Sequence, residues 1–559
     1  MTISNRLTIS AVFGLIILAS SSGLTRSGSA QSNRQVRIEG EVEIVYEDSH
    51  GASRLRHFLV TADKRFEVRF RTQPRETMRT GMRVAVTGVQ VGETLELNSG
   101  ESVSQLSSTL AVSGNPMGQH RVLVILVNFQ DKQIQPFTRE QAQTVMFETT
   151  NNFYREASYG QTWLSGDVYG WYSIPVSSTI CDTTAIANFA QQAAASAGAN
   201  LASYDHLVYA FPQNACTWQG RGSVGGSPSQ AWVNEWFGLG IVGHELGHNF
   251  GLYHSRSMDC GSLSIGTNCT TDEYGDIMDL MGGANSAHFN LFQKERLAWV
   301  NNGSNPPITT VTASGVYWID PYATASLQPK GLKILKSIDA VTGAKTWYYV
   351  EFRIPYGFDN FLSGNQNVLN GVLIRTGADS NGQSTYLLDM TPATTSWYDP
   401  ALTVGQTFTD AEAGVTITTV SVGPTGAIVD VTVSSQPCVR ANPTLTLAPS
   451  QSPWKAAGAT ATFNVSLRNN DSAGCNPASF NWQAAAPTAW VAGFASPTMT
   501  IGPGTTGTTT LQVTSPLGTV DGFYAINVNA SNGSNPSYGG NAPATYVLVS
   551  GLWVTSSAT

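Results

Sequence analysis

Three histidines and a glutamate crowd into one short stretch of this sequence: His244, Glu245, His248 and His254, spaced H-E-x-x-H-x-x-G-x-x-H. On a helix, side chains four apart share a face, so His244 and His248 can aim their imidazoles at one point. Gly251 can take the left-handed conformation that ends a helix and turns the chain back. His254 then reaches the same point from outside the helix. Three neutral imidazoles leave a fourth position for water, the donor set expected of a catalytic zinc ion; a structural ion would use four protein ligands. Glu245 follows the first ligand directly, where it can take a proton from that water and pass it on. The competing reading, a helix with unconnected surface histidines, is disfavoured by the combined spacing.

The helix that carries the pair is expected over residues 235–249. Trp236, Phe237, Leu239, Ile241, Val242 and Leu246 make it apolar on most sides and so buried. Gly243 and Gly247 let another backbone approach, and each weakens a free helix by roughly 1 kcal/mol, so packing must hold it. Upstream, residues 121–129 form a near-continuous apolar run, as in a strand buried on both faces. Thr138, Arg139 and Glu140 cap a helix running towards Glu156. Residues 185–197 read as an alanine-rich helix and 205–211 as another buried strand. This alternation predicts an α/β unit with a mostly parallel sheet over residues 116–300.

The flanks read as β structure. Residues 31–115 carry about five short alternating strands, the layout of a small OB-like β-barrel, with residues 113–116 as linker. No aromatic stacking platform is visible there, so a packing domain or prodomain is the expectation. A turn-rich boundary at 301–307 opens a β-rich domain over 301–436, whose Asp389, Asp399 and Asp410 suit turns better than calcium sites. Residues 437–559 have the evenly spaced strands of an immunoglobulin- or fibronectin-like sandwich. The expected fold class is therefore multidomain α/β plus all-β.

At 559 residues the chain is too long for one core. Only 12% of residues are charged, the net charge is −8, and no basic tract exists, which argues against nucleic acid as a partner. Arg6, the apolar residues 7–19 and the small residues ending at Ala30 predict a signal peptide over 1–30, cut after Ala30. The apolar run is too short for a membrane anchor, and no later one spans a bilayer, so the mature chain is expected to be exported without a membrane span. Six cysteines allow 15 pairings. Nearest neighbours are favoured, Cys181 with Cys216, Cys260 with Cys269 and Cys438 with Cys475, because each pair then stays within one unit. None has the C-x-x-C spacing of a zinc-thiolate site.

Residues 272–283, Asp-Glu-Tyr-Gly-Asp-Ile-Met-Asp-Leu-Met-Gly-Gly, follow the histidines. With them the chain resembles the metzincin clan of zinc endopeptidases, and within it the gametolysin (peptidase M11) family. Ser158-Tyr159-Gly160, Asp167 to Trp171, His288-Phe289-Asn290 and Gln293 to Leu297 support the likeness, which covers about residues 116–300. It implies a metzincin-like catalytic domain, and Met281 as the Met-turn residue beneath the metal, with Met278 as the alternative. It further implies hydrolysis of internal peptide bonds in extracellular or cell-wall proteins and glycoproteins. Algal members often carry Gln at the position of His244, so this chain has the fuller histidine set. Many relatives of the motif stay latent through a propeptide cysteine, but the first cysteine here is Cys181, inside the catalytic region. Latency would then come from steric blockage by residues 31–115. A calcium ion over residues 272–279 is a second cofactor expectation. His288 is read as packing rather than as touching substrate. The terminal sandwich suits attachment to a cell-wall or matrix surface, or a spacer. The alternative function is a lapsed protease fold serving adhesion or carbohydrate binding; the intact histidine set argues against it.

Overall fold

The computed structural model describes residues 34–549, apart from residues 50, 72–77, 99–101, 107–114, 304, 340–341, 380 and 435–437. The expected signal peptide and residues 113–114 of the expected 113–116 linker lie outside the described residues.

The expected fold class is not what forms. Strand makes up 45% and helix 13%, so the chain is predominantly β rather than an α/β catalytic unit beside a separate OB-like barrel. The reason lies in one long strand, β1 (Arg34–Ser49). It pairs with β2 (Ala52–Val60) and β4 (Arg83–Val91), and then its last residues continue onto β10 (Gly220–Ser223) in the middle of the chain. With β3 (Arg65–Phe70), β5 (Thr94–Leu97) and β6 (Val103–Gln105), the N-terminal strands thus belong to one 11-stranded sheet. The polar residues Glu47 and Asp48 continue the strand, paired with β2 on one side and with β10 on the other.

The other half of that sheet is β7 (Gly118–Phe129), β8 (Thr162–Ile174), β9 (His206–Phe211) and β11 (Ser229–Asn234), all parallel, with β10 antiparallel beside β11. The apolar run of β7 is buried on both faces, which is what a central parallel strand requires. On one face lie α1 (Arg139–Thr144), a wider-wound turn at Val145–Thr150, and α2 (Asn151–Ala157). Thr138 starts this run through a reciprocal capping box with Gln141. The other face takes α3 (Thr183–Ser196), capped by Asp182.

After the histidines, β12 (Arg256–Asp259) and β13 (Thr270–Asp272) leave the first sheet and join a second. There β12 pairs with a strand more than 120 residues downstream, Asn381–Leu388. That strand runs on to Gly371–Ala378, Lys345–Glu351, Leu332–Ile338 and Thr309–Val311. Two further four-stranded sheets, over residues 444–548, share one apolar core. The disulfides are Cys181–Cys216, Cys260–Cys269 and Cys438–Cys475, the nearest-neighbour pairing. Among the described residues, no helix is long and apolar enough to cross a membrane.

Candidate metal centre

The motif helix, α4, spans Leu239–Asn249, shorter at its start than residues 235–249. Glu235 turns the chain with a φ of 77°, and Trp236 is 71% exposed, so those residues form a turn rather than a buried first turn of helix. From Val242 to Asn249 every residue is buried. Gly251, with a φ of 96°, reverses the chain, and its amide bonds to the His248 carbonyl as that of Leu252 does to Gly247. This turn carries His254 back beside the helix.

The three rings are held alike. Nδ1 of His244 lies 2.8 Å from the Leu280 carbonyl, Nδ1 of His248 lies 2.9 Å from that of Leu252, and Nδ1 of His254 lies 3.0 Å from Glu273 Oε1. With each Nδ1–H donating to those acceptors, the three Nε2 lone pairs face a common point. Burial, and then the neighbouring His248, pushes His244 down to about 3, and burial likewise lowers His248. For His254 burial is outweighed by Asp48 and Glu273, which raise it. Burial pushes the Glu273 carboxyl up, but His254 and Arg256 bring it down to about 2.

These residues fit a divalent ion. Nε2 of His244 and of His254 are buried without a hydrogen-bond partner, a costly state unless something else takes the lone pairs. Ligand atoms of Asp48, His244, His248 and His254 lie within 4.8 Å of one another, and no other group of three or more potential ligands is found among the described residues. Calcium over residues 272–279 finds no support. Asp276 is taken by Arg375 at 2.6 and 3.1 Å, and Asp279 by the amides of Met281 and Asn290 at 2.7 and 2.6 Å.

A floor lies under the site. Met281 and Leu280 are fully buried, and a Cβ on Gly247 would come within 2.3 Å of Met281 Sδ. The two helix glycines therefore admit side chains, Met281 at Gly247 and Leu280 at Gly243, rather than a second backbone. Met278, also buried, packs in a separate cluster with Leu362 and Leu373. The Ser255 amide bonds to the Met281 carbonyl, tying the residue after His254 to the floor. His288 is buried and pairs with Glu156 at 2.8 Å, an interior role.

Glu245 sits on the other side, against β10. A Cβ on Gly220 would lie 1.8 Å from Glu245 Oε1, and one on Gly222 2.7 Å from Oε2, so both glycines are space for this carboxylate. Glu245 is buried, and its Oε2 lacks a partner. Burial, and then Asp48, hold its carboxyl well above the usual range.

Sequence reasoning missed Asp48. Its Oδ2 lies 3.2 Å from His248 Nε2 and 3.6 Å from His244 Nε2, and its Oδ1 lies 3.1 Å from His254 Nε2. The Tyr274 hydroxyl donates to Oδ1 at 2.7 Å. Burial would raise the Asp48 carboxyl, but His254 and His248 outweigh it and hold it well below the usual carboxylate range. No local spacing links Asp48 to histidines 200 residues away. The glycines flanking Arg221 were the available signal for the seat of Glu245.

Residues 121–374 match a family model described as Gametolysin peptidase M11, which supports a peptidase of that family for this segment. The match runs past residue 300 into the second sheet. No curated protein matches the chain. Among solved structures, a FixG-related protein from Vibrio parahaemolyticus is 8% identical, covering 19% of this chain and 95% of its own, with a TM-score of 0.16. The E. coli chaperone DraB is 9% identical over 19% of this chain and 53% of its own, with a TM-score of 0.14. Likenesses of this size carry no argument about fold or function.

Proposed function

We propose that this chain is an exported zinc endopeptidase that hydrolyses internal peptide bonds in extracellular or cell-wall proteins and glycoproteins. The observation that carries the reading is the convergence of three Nε2 atoms, each on a ring pinned through Nδ1, beside a buried carboxylate with a free oxygen. Held by His244, His248 and His254, a zinc ion supplies Lewis acidity towards water and the scissile carbonyl. The remaining work is protonic and falls to Glu245. Its carboxylate takes a proton from the attacking water as the oxygen bonds to the carbonyl carbon. It then gives that proton to the amide nitrogen as the C–N bond breaks, leaving a carboxyl and an amine. Seated against Gly220 and Gly222 with Oε2 free of any protein partner, the carboxylate has an oxygen available for that proton. Export is supported by the reading of residues 1–30 and by the three disulfides.

Glu245→Gln tests the assignment on protein recovered from the medium of an exporting host. The variant should keep its zinc, read by atomic absorption, and lose about 10²- to 10⁴-fold in casein turnover. Undiminished turnover would remove Glu245 from the mechanism. A protein that carries no zinc and ignores 1,10-phenanthroline would overturn the metal reading.

A further inference from the structure

The position that three histidines leave for water is filled from within the chain. The Asp48 carboxylate lies 3.1 to 3.6 Å from all three Nε2 atoms, buried, and steadied by the Tyr274 hydroxyl. Nε2 of His248 is within hydrogen-bond distance of Oδ2 at 3.2 Å, while Nε2 of His244 and of His254 are buried with no hydrogen-bond partner. A carboxylate at the meeting point of three lone pairs is placed as a fourth metal ligand.

The strand that brings it makes a second, independent obstruction. β10 would be the open edge of the middle sheet, beside Glu245. Residues 45–48 of β1 pair antiparallel with it, Val45 with Ser223, Tyr46 with Gly222, Glu47 with Arg221 and Asp48 with Gly220. A sheet edge of this kind is where an extended peptide adds as a strand. Asp48 thus stands opposite Gly220, the residue that makes room for Glu245. Tyr46 lies flat on His248, with ring centroids 4.5 Å apart, and tilts over His254 at 4.2 Å. A cleft of about 660 Å³ lies between residues 41–43 of β1 and Arg221, Gln230 and Trp232.

We propose that residues 45–48 are a built-in inhibitor: β1 occupies the edge an extended protein substrate would use, and Asp48 takes the metal position otherwise open to water. The inference rests on the zinc-peptidase reading and adds its regulation. Blockage by the N-terminal segment is thereby given a ligand, an aspartate in the role for which no cysteine is available. Opening the site requires β1 to leave β10.

The test uses the full chain loaded with Co²⁺, as wild type, Asp48→Ala and Asp48→Asn, each checked for folding by circular dichroism. The visible Co²⁺ spectrum reports the ligand set, acetohydroxamate titration reports access, and a quenched peptide reports turnover. Wild type should bind one ion and give a spectrum indifferent to millimolar hydroxamate. Both variants should also bind one ion, but show an altered spectrum, hydroxamate affinity raised at least about tenfold and faster peptide cleavage. The carboxamide keeps the size of Asp48, so it carries the test if the alanine variant does not fold. Folded variants with one ion and wild-type spectrum and hydroxamate affinity would overturn the inhibitor and leave the peptidase reading standing. Failure of wild type and variants alike to bind an ion would overturn the peptidase reading, and the inhibitor with it.

Discussion

The candidate site has a floor and a roof built on opposite principles. Beneath it, residues 276–282 are locked by buried ions. Arg353 binds Glu351 at 2.7 Å and the Met278 carbonyl at 2.6 Å, while Arg375 bridges Asp276 and Glu351 at 2.6 Å each. Above it, β1 makes four residue pairs with β10, and Arg221 faces Glu43 and Glu47 at 3.7 Å. Only Val224 and Tyr253 of the middle segment join the N-terminal apolar cluster among the described residues. A floor that must hold His244 through the Leu280 carbonyl gains from fully paired buried charge, which is costly to disturb. A roof that must leave gains from contacts that can be broken in succession.

Breaking the floor should give the largest effect. Arg353→Met keeps the bulk of the side chain but strands Asp359 in the interior and leaves Glu351 to Arg375. Removing one partner of a buried pair costs about 3–5 kcal/mol. Denaturant unfolding should show a loss of that size, and the metal affinity should fall with it because the Leu280 carbonyl loses its support. A loss under about 1 kcal/mol would mean that the floor does not depend on its ions.

The same contrast explains what was legible in sequence. The histidines and Glu245 announce themselves through helical spacing, because their geometry is local. The buried strands at 121–129 and 205–211 and the helix at 185–197 are local patterns too, and all three form close to where expected. The floor's partners were invisible, since Arg353 and Arg375 lie in a stretch that reads as a separate β-rich domain. Their pairing with Asp276 and Glu351 depends on how distant strands meet. The fold class was misread for a related reason. Alternating N-terminal strands look self-contained, and nothing in Glu47-Asp48-Ser49 signals that β1 continues onto another segment's edge.

A smaller effect sharpens the floor's character through pH. Burial, and then the nearby Asp276, push the Asp279 carboxyl up to about 7. An acid whose folded pKa is raised holds its proton in the native state and loses it first on unfolding. Its contribution is therefore full below about pH 4 and is lost as the pH rises to about 7, at up to about 1.4 kcal/mol per unit. Asp279→Asn mimics the protonated form at every pH. The stability of wild type minus that of the Asp279→Asn variant should fall across this window, read from denaturation midpoints at constant ionic strength. A pH-independent difference would show that Asp279 is ionised in the fold.

The smallest effect belongs to the roof, and it separates detachment from stability. Glu47 accepts from Arg56 at 3.0 Å and faces Arg221 at 3.7 Å, with its side chain 17% exposed. Glu47→Gln removes that charge without changing shape; the partly exposed Glu47–Arg56 pair contributes about 1 kcal/mol or less, and the buried Arg221 keeps Glu43 at 3.7 Å. Spread over a whole chain, such a change should leave the global denaturation midpoint almost unmoved. Concentrated on the four-residue seam between β1 and β10, the same change biases opening by up to about fivefold, since about 1.4 kcal/mol is tenfold. Loss of bound metal to a chelator, which needs the site to open, should accelerate by a few fold at unchanged midpoint. An equal shift in both measurements would mean that roof and floor unfold as one unit, and that β1 does not leave on its own.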